Sequence, residues 1–199
     1  MKKFIVIDGF DGSGKDTQAQ FIYEMYKNKA TQNNDSLERI ILRSNPEKDN
    51  YFGLKSHEAL LKEGTFHKII ATIFFAIDIF RSLILYYHKS DVLIFSRYLL
   101  SATYFPKRLV KPVYIFFGFI LPKSPFMFYL DLPPEIAMER INTRNISNNQ
   151  EFQTFENLKS LKKNREKVNL ISYDWIIIDG SKNKTLIKEE IANILLENN

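Results

Sequence analysis

The sequence predicts an α/β fold, a doubly wound parallel five-stranded sheet flanked by helices. Three observations carry this. Short apolar runs alternate with longer helical patterns along the whole chain, as crossover units require. Several of those runs are apolar at every position, which suits strands covered on both faces. The first run feeds a glycine-rich turn, Gly9-Phe10-Asp11-Gly12-Ser13-Gly14-Lys15, and a helical pattern starts at once behind it.

Taken in order, residues 4–7 form an apolar, β-branched strand. Residues 15–29 form a helix whose apolar face is Ala19, Ile22, Tyr23 and Tyr26, at i, i+3, i+4 and i+7. A polar loop at 32–36 precedes a second strand at 37–42, which ends in Arg43-Ser44-Asn45-Pro46. Residues 51–63 are helical up to Gly64. Residues 65–88 are the longest helical stretch and are apolar nearly all round, so deep burial is expected. Asp78 and Arg81 interrupt it, either as an ion pair within the helix or as groups that face a cleft. The third strand, 91–95, ends in Ser96-Arg97-Tyr98, and a helix begins at 99–105. Residues 106–124 are proline-punctuated and apolar in the middle. The fourth strand, 126–130, ends at Asp131. Pro133-Pro134 opens a helix that runs to about Arg144. Residues 145–150 read as exposed and mobile. An amphipathic helix at 155–170, a fifth strand at 175–178 and a closing helix at 185–197 complete the chain.

The 199 residues suit one domain, with a movable lid segment at about 140–155. No internal repeat is present. With 45% hydrophobic residues, a sizeable core is expected, and the absence of cysteine excludes disulfides and thiolate chemistry. The net charge of +5 suits polyanionic ligands. Lys and Arg are interleaved with Asp and Glu and form no block, so no nucleic-acid partner is expected. The apolar run after Met-Lys-Lys is too short for a leader. Asp78 and Arg81 make the long apolar helix a buried element, and 113–121 is short of the roughly 20 residues a span needs. No membrane partner and a soluble, cytoplasmic chain are the expectation.

The glycine turn carries the chemistry. It matches G-x-x-x-x-G-K-[S/T] except at the last place, where Asp16 stands and Thr17 follows. Without side chains at the glycines, consecutive N–H groups turn inward as an anion nest. The helix that follows adds its positive dipole end. Lys15 adds a mobile charge for the β- and γ-phosphates. Gly9, Phe10, Asp11, Gly12, Ser13, Gly14, Lys15, Asp16 and Thr17 are thus expected to form a phosphate-binding loop. The other strand ends, Arg43, Ser96-Arg97, Asp131 and Asp179, gather where such sheets bind ligands.

With those residues in place, the chain resembles thymidylate kinases, a family of P-loop nucleoside monophosphate kinases, over almost its whole length. The resemblance rests on Asp8 to Lys15, on Arg43 followed by Pro46, and on Arg97-Tyr98 with Ser101, Tyr104 and Phe105. It extends to Tyr129 to Pro134, to Arg140 and Arg144, and to Ile178 to Ser181. It implies ATP- and Mg²⁺-dependent conversion of dTMP to dTDP. It implies that Asp11 accepts from the acceptor's sugar hydroxyl, and that Arg97 and Arg43 hold the acceptor phosphate. Phe75 stacks on the base, and Tyr104 and Phe105 floor the sugar. Catalysis falls to Lys15, Arg97 and the lid arginines Arg140 and Arg144, because the phosphate loop has no arginine. The loop 180–183 borders the adenine. For Arg97 a structural salt bridge is the alternative, and for Arg140 and Arg144 solvated helix charge. By family precedent, 113–121 or the long helix would form a homodimer surface; the alternative is burial in the monomer.

Three positions depart from the family pattern. The loop Ser/Thr that ligates Mg²⁺ is Asp16, the Asp before the strand-three arginine is Ser96, and an arginine expected on the long helix is Ile79, with Arg81 two residues on. The first two look reciprocal, so Asp16 and Ser96 are expected to bind Mg²⁺ as an exchanged oxygen pair. The alternative is that Asp16 only suits a helix N-terminus, where like charges about 4 Å from ATP would cost about 4 kcal/mol. Two other functions stay open at this point: a kinase of another nucleotide or nucleoside on this fold, and a nucleotide-binding protein without turnover.

Overall fold

The computed structural model describes residues 3–33, 39–62, 64–147 and 157–197. Its strands are β1 (Lys3–Asp8), β2 (Ile40–Ser44), β3 (Val92–Ser96), β4 (Phe126–Asp131) and β5 (Ile176–Asp179). They form one all-parallel sheet in the order β2-β3-β1-β4-β5. The helices are α1 (Lys15–Asn33), α2 (Tyr51–Leu60), α3 (Thr65–Tyr86), α4 (Lys107–Ile120), α5 (Pro134–Ser147), α6 (Leu158–Val168) and α7 (Lys184–Glu197). A short 3-10 helix covers Leu99–Tyr104, where a helix start was expected.

Strand periodicity divides the core in two. Ile5 and Ile7 of β1 face α1 and α7, where they meet Ala19, Ile22, Ile187 and Ile191. Phe4 and Val6 face the opposite layer, with Phe75, Ile79 and Leu83 of α3 and Tyr114 of α4. The predicted sheet, covered on both faces, is therefore the one observed. β1 lies at its centre. The chain builds outward to β2 and β3 on one side, then crosses to β4 and β5 on the other, so the crevice opens at the carboxyl end of β1. Ile7 is level with Ser96, and Asp8 with Tyr129.

The expected deep burial of the long helix needs correction. Helix α3 is buried on one side only. Ala71, Phe75, Ile79 and Leu83 are sealed, while Phe66 (70% exposed), Ile73, Ile77, Phe80 and Ile84 form an outer stripe. By length and composition alone α3 could cross a membrane, but its inner face belongs to the core. The proline-punctuated residues 107–120 form a helix that runs through Pro112. Proline sacrifices one backbone bond there. Burial of Val110 and Tyr114 holds the helix to the core, and the Tyr114 hydroxyl bonds Asp174 (2.5 Å) and the Trp175 indole N–H (2.8 Å). The outer face, including Phe119 at 91% exposed, stays open.

Neither sequence reading of Asp78 holds. Its carboxylate is fully buried and accepts from the Glu47 N–H (3.0 Å) and the Asn50 side-chain amide (2.7 Å). It makes no ion pair with Arg81 among the described residues, and one Arg81 guanidinium nitrogen is buried without a hydrogen-bond partner among them. Of the stretch expected to be mobile, residues 145–147 extend α5 and Asn145 is buried. The rest of the expected lid, 148–156, lies outside the described residues. Replacing Asp78 by Ala removes the acceptor of the Glu47 N–H and one acceptor of the Asn50 amide, which should cost about 1–3 kcal/mol in all. The expected result is a lowered urea midpoint at unchanged m-value.

Candidate active site

The glycine turn has the backbone that an anion nest requires. Gly12 and Gly14 have φ of 81° and 86°, a region that side chains rarely tolerate. A Cβ on Gly12 would also stand 2.6 Å from the Ala137 carbonyl oxygen, so α5 seals the turn from behind. The turn closes through the Ser13 N–H on the Phe10 carbonyl (3.1 Å), and α1 starts at Lys15. Lys15 is buried, and its ammonium donates to the Phe10 carbonyl at 3.3 Å. Burial first, and Arg97 second, lower its pKa. Phe10 turns inward, edge-on to Tyr129, and Thr17 is exposed.

Asp8 joins this turn to the next strand end. Its buried carboxylate accepts from the N–H of Gly9 (2.8 Å) and of Tyr98 (2.9 Å). Burial raises its pKa in spite of both donors. Arg97 lies between those anchors at φ 67°, unusual for a residue with a side chain. Such a backbone costs about 1–2 kcal/mol. It is held by the Arg97 N–H on the Ile7 carbonyl (3.0 Å) and a guanidinium contact with the Asn45 carbonyl (3.4 Å). Burial pulls the Arg97 pKa down, but Asp16, Tyr104, Asp11 and Asp8 together raise it. The guanidinium stays charged.

Beside Arg97 opens a cavity of about 270 Å³. That is near the lower end of small-molecule sites, roughly 300–1,000 Å³, and suits one nucleotide portion rather than two. Of the expected acceptor residues, Asp11, Phe75, Arg97 and Tyr104 line it. Arg43 and Phe105 do not. The Arg43 guanidinium is gripped by Asp49 (3.1 and 3.3 Å), lies 3.6 Å from Glu47 and covers the Tyr86 ring. The Phe105 carbonyl receives Lys167 at 2.9 Å. Among the polar lining residues that escaped the sequence reading are Lys48, His57 and Asn164. Only Lys48 had a local signal, as a cation two places after Pro46.

The two departures at the phosphate loop touch each other. The Ser96 hydroxyl donates to the Asp16 carboxylate at 2.5 Å, and Lys15 lies 3.7 Å from the same carboxylate. Burial works to raise the Asp16 pKa, but Lys15, Arg97 and Ser96 outweigh it, so it is ionised. No group of three or more His, Cys, Asp or Glu side chains among the described residues could hold a metal. One carboxylate and one hydroxyl still suit Mg²⁺, which takes one or two protein oxygens and completes its shell with phosphate and water.

The two arginines expected on a lid part company. Arg144 reaches the glycine turn and clasps Asp11 with both terminal nitrogens, at 3.2 and 2.8 Å. Burial alone would raise the Asp11 pKa, but Arg144 and Lys15 hold it below the usual carboxylate range. Arg140 donates instead to the Gly180 carbonyl at 3.1 Å, beside the loop expected to border the adenine.

Comparison with known proteins agrees with this geometry. The probable thymidylate kinase 1 of Saccharolobus solfataricus is 30% identical over 208 aligned residues, covering all of this chain and 99% of that protein. The probable thymidylate kinase of Archaeoglobus fulgidus is 28% identical, covering 96% of this chain and 93% of that protein. A thymidylate kinase of Leptospira interrogans is 40% identical over 72 residues, 36% of this chain and 34% of that protein. A profile of the family described as thymidylate kinase matches residues 7–191. Glycine turn, strand-end arginine and base-sized cavity thus coincide with a match across nearly the whole length, and the chain belongs to the thymidylate kinase family, ATP-dependent phosphotransferases that convert dTMP to dTDP.

Proposed function

We propose that this chain moves the γ-phosphoryl group of ATP to dTMP with the residues described above. One observation carries the reading. The glycine turn and the Arg97 cavity open on the same crevice, with Lys15 at one and Arg97 at the other. Two anion sites side by side are what an in-line transfer between phosphates needs. The turn's N–H groups, the start of α1 and Lys15 hold the donor phosphates. Arg97, with Lys48, holds the acceptor phosphate, and Phe75 lies flat against the base. An oxygen of the acceptor phosphate forms the new bond to Pγ as the bond to the bridging oxygen breaks. That oxygen is already anionic, so no general base is required.

Arg144 is the charge-neutralising arginine. Its clasp on Asp11 parts when nucleotides enter, freeing Asp11 for the acceptor's sugar hydroxyl and Arg144 for the transferred group. Arg140 stays on the adenine side. Asp16 and Ser96 would hold Mg²⁺. When bound, the ion neutralises phosphate charge that Asp16 would otherwise repel.

An ADP-release assay over a panel of nucleoside monophosphates, with thymidine included, tests the reading. Turnover should be fastest with dTMP and should stop on chelation of Mg²⁺. Arg144→Met should lower kcat by about 10³-fold and leave the KM for dTMP within about threefold. No ADP release with any acceptor, or a preference for thymidine, would contradict it. The metal pair has its own test in Mg²⁺ titrations. Asp16→Thr should raise the Mg²⁺ concentration needed for half-maximal rate about tenfold or more. Adding Ser96→Asp should restore it; a double variant worse than either single one would refute the exchange.

The chain is also proposed to pair with a second copy through α3. Phe66, Ile73, Ile77, Phe80 and Ile84 recur at a spacing of three, four and seven. The 22 residues of α3 extend about 33 Å. The stripe bears no charge, so it can lie on its own copy without repulsion. The exposed face of α4 includes Arg108 and Lys111 and would set like charges against each other. Sedimentation equilibrium should give a dimer, and Ile77→Glu a folded monomer; a wild-type monomer at ~100 μM would rule the pairing out. A soluble, cytoplasmic protein fits this reading.

A further inference from the structure

His57 lines the acceptor cavity together with Lys48 and Arg97. It reaches that wall through a clamp. The Glu47 backbone presses so closely on α2 that a Cβ on Gly53 would stand 1.7 Å from the Glu47 carbonyl oxygen. Asp78 of α3 ties down the other side of the same turn through Glu47 and Asn50. The Asn50 side chain caps α2 by accepting from the N–H of Phe52 (3.0 Å) and Gly53 (3.1 Å). The Ser56 hydroxyl fastens α2 to α3 through the Ala71 carbonyl (2.9 Å). His57 follows Gly53 by four residues and so lies on the same helix face as the clamped turn. The turn that presents Lys48 and the helix that presents His57 are therefore one rigid unit.

Two cations act on the imidazole from different elements. Lys48 comes from the turn and Arg97 from the end of β3, both cationic. Asp8 and Asp11 of the phosphate loop, Tyr104 of the 3-10 helix and Tyr129 of β4 are the other titratable groups on the cavity wall. The wall residues from α3 and α6 carry no charge. Asp8 and Asp11 are already engaged, with backbone N–H groups and with Arg144. Partial burial first, then Lys48 and Arg97, lower the pKa of His57. Without ligand, the imidazole is neutral at neutral pH. A phosphate dianion between Lys48 and Arg97 reverses the sign of that field and favours the imidazolium.

We propose that His57 is a proton-linked specificity residue of the acceptor site: a nucleoside monophosphate dianion draws a proton onto His57 as it binds, and an uncharged nucleoside does not. The inference rests on the cavity being the acceptor site. It adds to that reading a chemical reason for preferring a phosphorylated acceptor. Protonation awaits the dianion, so the empty site does not add an imidazolium to Lys48 and Arg97. The sign follows by linkage: binding that raises a pKa takes up protons and weakens as pH rises.

The test is calorimetric titration of the full chain with dTMP and with thymidine at pH 7, in two buffers of different ionisation heat. Wild type should take up a substantial fraction of a proton with dTMP and none with thymidine. His57→Gln keeps a polar side chain that cannot titrate. It should still bind dTMP but lose the uptake. Across pH 5.5–8.5 the dissociation constant of wild type for dTMP should rise about tenfold more than that of His57→Gln, the effect of a shift of about one unit. The dTMP phosphate's own ionisation is common to both proteins and cancels. Equal uptake in wild type and His57→Gln, or none in either, would overturn the proposal while leaving the acceptor reading intact. Failure of wild type to bind dTMP would overturn both. His57→Asn provides a second non-titrating variant if His57→Gln does not fold.

Discussion

A single buried carboxylate holds the two halves of this site in register. Asp8 closes β1 and accepts one N–H from the phosphate loop and one from the segment behind Arg97. Both loops leave adjacent strands at the carboxyl end of the sheet, where the Arg97–Ile7 and Ser96–Asp16 bonds add to the Asp8 tie. Burial raises the Asp8 pKa, so its ionised form weighs against stability as pH rises through that pKa. The two donors offset part of that cost. Retaining an ionisable group there makes sense if the spacing between donor and acceptor sites matters more than stability, as in-line transfer demands.

Charge balance follows from that geometry. Lys15, Arg97, Lys48 and Arg144 converge on one crevice, and Asp8, Asp11 and Asp16 are interleaved with them. In the empty site each carboxylate has a donor: backbone N–H groups for Asp8, Arg144 for Asp11 and Ser96 for Asp16. In the proposed reaction, nucleotide phosphates would replace these internal partners with external ones. The Arg144 clasp on Asp11 would then part to free both groups. The Ser96 contact shows that the two departures at the phosphate loop, Asp16 and Ser96, are neighbours in space.

Much of the fold was legible because strand periodicity and the glycine turn are local signals. The turn was legible because its glycines were expected to take a backbone that few residues can, and Gly12 and Gly14 do. Arg97 was visible as a cation at a strand end. Arg43, at another strand end, looked equivalent, but Asp49 and Tyr86 claim its guanidinium, and no spacing in the sequence reports such competition. Lys48 and His57 were hidden for a related reason: their position depends on Glu47 packing against Gly53 and on Asp78 one helix away. The long helix misled by composition. Apolar residues all round suggested burial, whereas the structure buries Phe75 and Ile79 and leaves Phe80 and Ile84 outside. Ile79 itself sits in the core, so the missing arginine is replaced by packing and not by Arg81.

The most direct measurement is a crystal structure with ADP and dTMP bound together. The expected result has the β-phosphate of ADP cradled by the N–H groups of the turn between Gly12 and Thr17, and the dTMP phosphate against Arg97 and Lys48. The Asp8 bonds to Gly9 and Tyr98 should be unbroken, and Arg144 should have released Asp11. A dTMP phosphate lodged away from Arg97, or a glycine turn whose N–H groups face elsewhere, would contradict the central claim.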